Sequence, residues 1–263
     1  MTDVPGTKDL TLLATATKEA FQPARIYYSI PNKAAVTRIF RSLGCVGPEQ
    51  RGRSWLWLYQ DEARALRFGV PYAAVPKELQ PIVLGTFRFP DKTRMVLETR
   101  SFERAIEAAK FFGPILGSRV VARRARVINR WFDASEVEQG LERLCRLLDA
   151  NVTVIDPSKT EAEFEQAMAG ARTPREKRRA FEAHAEASRS KDVPMVGDFP
   201  LAPEEETPDY RDLAITLRFR SLRAYEHWRG NVHLKLADII EQVVGNGVAA
   251  GRIQDVPWPW ESA

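Results

Sequence analysis

Residues 82–128, IVLGTFRFPDKTRMVLETRSFERAIEAAKFFGPILGSRVVARRARVI, carry the pattern on which the fold turns. IVLGTFRF and TRMVLETR are two β-rich runs joined by PDK, which predicts a hairpin. Ser101 then stands as an N-cap before Phe102, Ala105, Ile106 and Ala109, apolar positions at helical spacing, and Gly113-Pro114 predicts the end of that helix. SRVVARRARVINRWF beyond it reads as a long strand.

Toward the N-terminus, RIYYSI at 25–30 predicts a strand ending at Pro31, followed by a helix with Val36, Ile39, Phe40 and Leu43 on one face and Gly44 after it. RGRSWLWLYQ at 51–60 sets Trp55, Trp57 and Tyr59 on one face of a strand and Leu56 and Leu58 on the other. Both faces are apolar, which predicts a strand buried between sheet and helix; the competing reading is an aromatic platform that stacks bases. DEA at 61–63 predicts a turn into another strand through Leu66 and Phe68, and residues 1–21 predict a short amphipathic helix.

Toward the C-terminus, Ser135 with Glu138, Thr160 with Glu163 and Thr173 with Glu176 are capping-box signatures for three helices, and VTVID between the first two predicts a strand. Residues 190–209, rich in Pro, Asp and Glu, read as a linker. DLAITLRFR alternates Ile215, Leu217 and Phe219 with polar neighbours and predicts a half-buried strand, after which Ser221 would cap a helix broken at Gly230-Asn231 and resumed to Val244. MVLETRSFERA and ITLRFRSLRAY share an apparent strand, an Arg-Ser junction and a helix, a sign of partial duplication in the C-terminal half. The expectation is an α+β protein, a sheet with helices on one face, divided into a basic domain over 1–132 and an acidic α/β domain over 133–263 that includes an exposed helix and linker at 172–210.

The net charge of +4 conceals a split: residues 1–132 hold 22 Lys and Arg against 11 Asp and Glu, whereas 133–263 hold 17 against 24. A basic first half predicts a polyanion partner, and arginine outnumbers lysine about three to one, which suits bidentate phosphate contact. No apolar run approaches the roughly 18 residues of a membrane span. Two widely spaced cysteines, Cys45 and Cys145, and no signal-peptide pattern predict a cytoplasmic chain with free thiols.

Residues 25–44 and 92–127 resemble the RNA-recognition-motif type of ferredoxin-like fold: IYYSIP resembles its first strand, VTRIFRSLG its first helix, and SFERAIEAAKFFGPILGSRVV its second helix and fourth strand. The resemblance implies a β-α-β-β-α-β order and base stacking by aromatics on the first and third strands. Tyr27 matches the first-strand position, whereas KTRMVLETR offers Met95 and Val96 but no third-strand aromatic.

The candidate nucleic-acid contacts are therefore Tyr27, Trp57, Arg51, Arg53, Arg64 and Arg67 around the aromatic strand, and Arg119, Arg123, Arg124, Arg126 and Arg130 in a segment with no acid between Glu107 and Asp133. On a strand Arg124, Arg126 and Arg130 share a face that can track phosphates. No zinc spacing, phosphate loop or nucleophile elbow is present, so no metal, cofactor or catalytic residue is expected. The expected function is binding of RNA or another single strand. Alternatives are a scaffold subunit docking through its acidic half, and a metal-independent RNA-processing nuclease using His184, His227 or His233.

Overall fold

A computed structural model describes residues 11–201 and 210–245. Its strands are β1 (Ala24–Ser29), β2 (Val46–Glu49), β3 (Ser54–Leu58), β4 (Val83–Arg88), β5 (Arg94–Thr99), β6 (Val121–Ile128), β7 (Val152–Val154) and β8 (Val196–Pro200). The helices are α1 (Lys33–Phe40), α2 (Phe102–Leu116), α3 (Leu141–Arg146), α4 (Pro157–Ala169), α5 (Pro174–Ser190), α6 (Tyr210–Trp228) and α7 (Leu236–Gly245). The architecture is α+β. All eight strands form one mixed sheet in the order β2-β3-β4-β5-β1-β6-β8-β7, antiparallel except for the β7–β8 pair. The sheet runs without interruption across residue 132, because β8 pairs with β6.

One face of the sheet carries the core. Ile26 and Tyr28 of β1, Met95 and Leu97 of β5, Phe87 of β4 and Ala122 and Ala125 of β6 are buried together with Phe40 of α1 and Phe102, Ile106 and Phe112 of α2. Trp55, Trp57 and Tyr59 lie in this core, so Trp57, a candidate base contact, offers no face to a base. Its ring packs edge-on against Phe112 at 5.4 Å and stacks with Phe111 at 6.3 Å. α2 runs past Gly113-Pro114 to Leu116, because Phe112 and Leu116 are both buried and the left-handed turn that ends the helix comes only at Gly117, φ 74°. Gly113 serves the packing of two helices instead of ending one. A Cβ there would meet the Tyr210 ring at 2.9 Å, so its absence lets α6 approach α2.

Several local expectations are overturned. Residues 11–21 fold back on themselves about a turn at 16–18, with bridges Leu12–Asp133 and Ala14–Ala20, in place of the expected helix; residues 1–10 lie outside the described residues. Leu66 and Phe68 form no strand, since β3 pairs directly with β4 and Asp61–Ala65 is a 3-10 turn. Glu62 in that turn accepts the backbone N–H groups of Gly44 and Cys45 at 3.1 and 2.9 Å, closing the α1–β2 connection. Asp133 with Glu136, rather than Ser135 with Glu138, makes the capping box before α3, and Asp156, rather than Thr160, caps α4.

The predicted strand at 215–219 lies within α6. Leu213, Ala214, Leu217 and Ala224 are buried at helical spacing, while Phe219 packs with Ile239 of α7, joined by Ile215 and Leu222. A helix with apolar stripes on two sides mimics strand alternation over a short window. Ser221 is accordingly not a cap: its Oγ donates to Gln22 Oε1 at 2.6 Å and accepts from Trp131 Nε1 at 3.3 Å. The Arg-Ser junction therefore joins a strand to a helix once and lies inside a helix the second time, so the two segments are not copies. Within the expected linker, Val196–Phe199 are fully or nearly fully buried as β8.

Beneath α2, Arg104 and Glu19 form a buried ion pair at 3.4 Å. Arg104 also donates to Thr17 Oγ1 at 2.6 Å and to Val83 O at 3.1 Å. Glu103 beside it is buried, with neither oxygen bonded, and burial pushes its carboxyl well above the usual range.

Two outcomes follow from this core. Trp57→Ala should cost about 3–5 kcal/mol, read as a lower midpoint in urea unfolding. Because the folded protein holds the Glu103 proton above the ordinary carboxylate pKa, that contribution is present at low pH and is lost as pH rises through the folded value. Glu103→Gln should flatten this decline, checked by melting temperature against pH.

Candidate functional site

On strands whose inward residues meet the helices, the alternate residues must point the other way. Arg25 and Tyr27 of β1, Val96 and Glu98 of β5, Thr86 and Arg88 of β4, Arg124 and Arg126 of β6 and Asp198 of β8 share that second face. The register sets Tyr27 opposite Val96 on one side and Arg124 on the other. A bulge at Arg123 restores the alternation, so Arg124 and Arg126 both emerge beside Tyr27. Their guanidinium carbons lie 5.9 and 5.4 Å from the Tyr27 ring centroid.

Carboxylates from distant parts of the chain hold these arginines. Asp198, fully buried, accepts from Arg124 at 2.9 Å and from Arg126 at 2.8 and 2.9 Å. Glu98 accepts from Arg25 at 2.7 Å and lies 3.7 Å from Arg88. Asp149, in the turn after α3, accepts from Arg25 at 2.5 Å and lies 3.7 Å from Arg126; the Arg25 contact holds its carboxyl below the usual range. Arg126 further donates to Leu148 O at 3.2 Å, so both arginines tie the α3 turn to the sheet. Arg88 and Arg124 keep about half of their side chains exposed, 58% and 47%.

The face is hollowed into a groove of about 300 Å³ lined by Arg25, Tyr27, Thr86, Arg88, Val96 and Glu98. Sharing Arg25, Thr86, Arg88 and Glu98, it leads into a cleft of about 510 Å³ walled by Leu141, Cys145, Arg146 and Asp149 and reaching Arg100. No histidine lines either hollow, and burial pushes the Cys145 thiol up to about 11, so it stays protonated at neutral pH. Among the described residues no three His, Cys, Asp or Glu side chains are placed to hold a metal ion, and no helix is long and apolar enough to cross a membrane.

The structure gathers only part of the predicted set here. Tyr27, Arg124 and Arg126 come together. Arg130 lies past the end of β6, paired with Glu136 at 2.5 Å and placed over Phe132 at 4.3 Å. Arg119 is exposed in the turn before β6. Arg51 and Arg53 sit in the β2–β3 turn, whereas Arg64 and Arg67 follow β3 at its other end. Arg64 lies 3.7 Å from Asp61 and over the Tyr72 ring at 4.7 Å. The acid-free surroundings expected for Arg124, Arg126 and Arg130 do not exist in space, since strand pairing and the α3 turn bring Asp198, Asp149 and Glu136 to them. Arg25, Arg88 and Glu98 were missed. The two-residue alternation of Arg25 with Tyr27, and of Thr86 with Arg88, is the signal that points to them.

Against family models, curated proteins and solved structures, the chain matches none.

Removing Asp198 strips two arginines of a shared buried acceptor, so Asp198→Ala should lower unfolding free energy by about 1–3 kcal/mol. Arg124→Gln, at a half-exposed group, should cost under about 1 kcal/mol. Urea unfolding of the two variants checks the order.

Proposed function

We propose that the chain binds RNA or another single-stranded nucleic acid on the open sheet face, with Tyr27 stacking on a base and Arg88, Arg124, Arg25 and Arg126 meeting the phosphates. The observation that carries the reading is Tyr27 itself: a half-buried ring on the face turned away from α1 and α2, flanked by two guanidinium groups. Aromatic stacking beside arginines is how sequence-tolerant single-strand binding is built. Two of the five N–H donors of Arg124 are spent on Asp198, leaving others directed to solvent. The positive charge of the first half adds long-range attraction.

The same reading takes the centre of the sheet as ferredoxin-like and similar to an RNA-recognition motif. Its support is the chain order β1-α1-β4-β5-α2-β6, with β6, β1, β5 and β4 as antiparallel neighbours. On this view the β2–β3 hairpin is an insertion between α1 and β4, and β8 and β7 are additions at the far edge. Tyr27 then occupies the first-strand stacking position, while the third-strand positions hold Val96 and Glu98, which favours one stacked base over two.

A scaffold subunit is the second reading. It is favoured by the outermost strand β7, where Val154 is 63% exposed, and by Phe181 of α5, 56% exposed.

Fluorescence anisotropy with short single strands over a salt series separates the two. Phosphate binding should give a linear fall of log K with log salt, about 0.7 per neutralised phosphate. Tyr27→Ala should weaken binding by roughly 1–3 kcal/mol with an unchanged melting temperature. No binding at low salt, or a Tyr27→Ala variant that binds like the natural chain, overturns the reading.

A further inference from the structure

On the opposite face of the sheet, α6 carries two guanidinium groups that the carboxylates among the described residues leave largely unanswered. Arg220 and Arg223 are one helical turn apart and buried, 8% and 6% exposed. Arg220 lies over the Phe199 ring at 4.7 Å and donates to Asn129 Oδ1 at 3.2 Å, but its Nε has no acceptor. Asn129 is itself fixed by donating to Pro194 O at 2.7 Å. Gly197 makes room for this guanidinium, since a Cβ there would stand 3.3 Å from a terminal nitrogen of Arg220. Arg223 also has an unbonded Nε, and its ion-pair partner is Asp192 at 3.9 Å, 69% exposed. Asp192 is already held by Lys235 Nζ.

Among the described residues, Arg223 and Lys235 thus share the one carboxylate of Asp192, while Arg220 beside Arg223 has an amide oxygen and no carboxylate. The isolated cluster carries an excess of two positive charges, most of it out of water, an arrangement that is costly to fold unless something answers the charge. Burial, reinforced by Arg223, lowers Arg220 to about 10, which still leaves it charged at neutral pH. The position of Asp192 shows where an acceptor is welcomed: its oxygen lies between Lys235 and Arg223 at the surface, where an incoming anion can displace it.

We propose that Arg220 and Arg223 form the floor of an anion site for a phosphate dianion, with Lys235 at its mouth. Two planar guanidinium forks match the oxygens of a phosphate, and a dianion cancels the excess charge. The phosphate is either a free ion or the terminal group of a phosphorylated strand. Because Gly197 and Phe199 face α6 while Asp198 faces Arg124 and Arg126, the site stands apart from Tyr27 and does not depend on the nucleic-acid reading.

Calorimetric titration of the full chain with inorganic phosphate, at ionic strength matched with chloride, tests it. Parallel titrations use a short oligonucleotide with a 5′-phosphate and the same strand with a 5′-hydroxyl, each on a Tyr27→Ala background. Saturable binding of inorganic phosphate, or of the phosphorylated strand in preference to the hydroxyl-ended one, is expected, and which of them binds identifies the source. Arg220→Met and Arg223→Met should each weaken that binding about tenfold or more. In chloride they should melt no lower than the natural chain, because an apolar side chain of similar length relieves the buried charge. Should either variant fail to fold, Lys235→Met at the surface must weaken the same binding. No saturable binding of either phosphate source overturns the proposal, as does undiminished binding by the folded variants.

Discussion

Packing of α1 and α2 against one face of the sheet is the constraint from which the rest follows. Phe112 of α2 meets Trp57 at 5.4 Å and Phe87 at 4.9 Å, and Phe40 of α1 meets Phe87 at 4.7 Å. Large rings in mutual contact remove much apolar area from water, worth roughly 25 cal/mol for each Å² buried. Once that face is chosen, strand periodicity leaves no freedom to the others: Arg25, Tyr27, Glu98, Arg124 and Arg126 must emerge on the far side. The charged face is thus a consequence of the aromatic one.

That far face is kept from being a bare array of cations by residues remote in sequence. Asp198 enters through β8 and Asp149 through the turn after α3, each bringing a carboxylate to arginines that β1 and β6 present. Such pairs orient the side chains. The half-exposed Arg124 and Arg88 keep donors toward solvent, while Arg25 and Arg126 bind the α3 turn in place. The groove beside Tyr27 owes its shape to these ties as much as to the strands.

The two clusters of arginine differ in a way that bears on use. On the open face each guanidinium that touches Tyr27 has a carboxylate at hydrogen-bond distance. Under α6, Arg220 has an amide and an aromatic ring instead. A buried cation answered by neutral groups is held ready for a negative one, whereas a paired cation on an open face exchanges one acceptor for another.

Local chemistry was enough to write much of the N-terminal half from the sequence: the hairpin across PDK, the Ser101 cap, the strand RIYYSI and the apolar period of α1 and α2 each depend on neighbours within a few residues. Core placement of the Trp55, Trp57 and Tyr59 row was legible for the same reason, since apolar residues on both sides of a strand demand cover on both. Tyr27 was named as a candidate through the resemblance of IYYSIP to the first strand of an RNA-recognition motif. Tertiary structure alone decided that α6 is a helix, because its two apolar stripes answer to α2 and α7, partners that no short window contains. It alone made a buried strand of Val196–Pro200, where Asp and Pro suggest solvent but Arg124 and Arg126 wait across the ladder. And it alone determined which arginines are answered and by what: charge is counted along a chain, but pairing depends on distances in space between groups separated by as many as 124 positions.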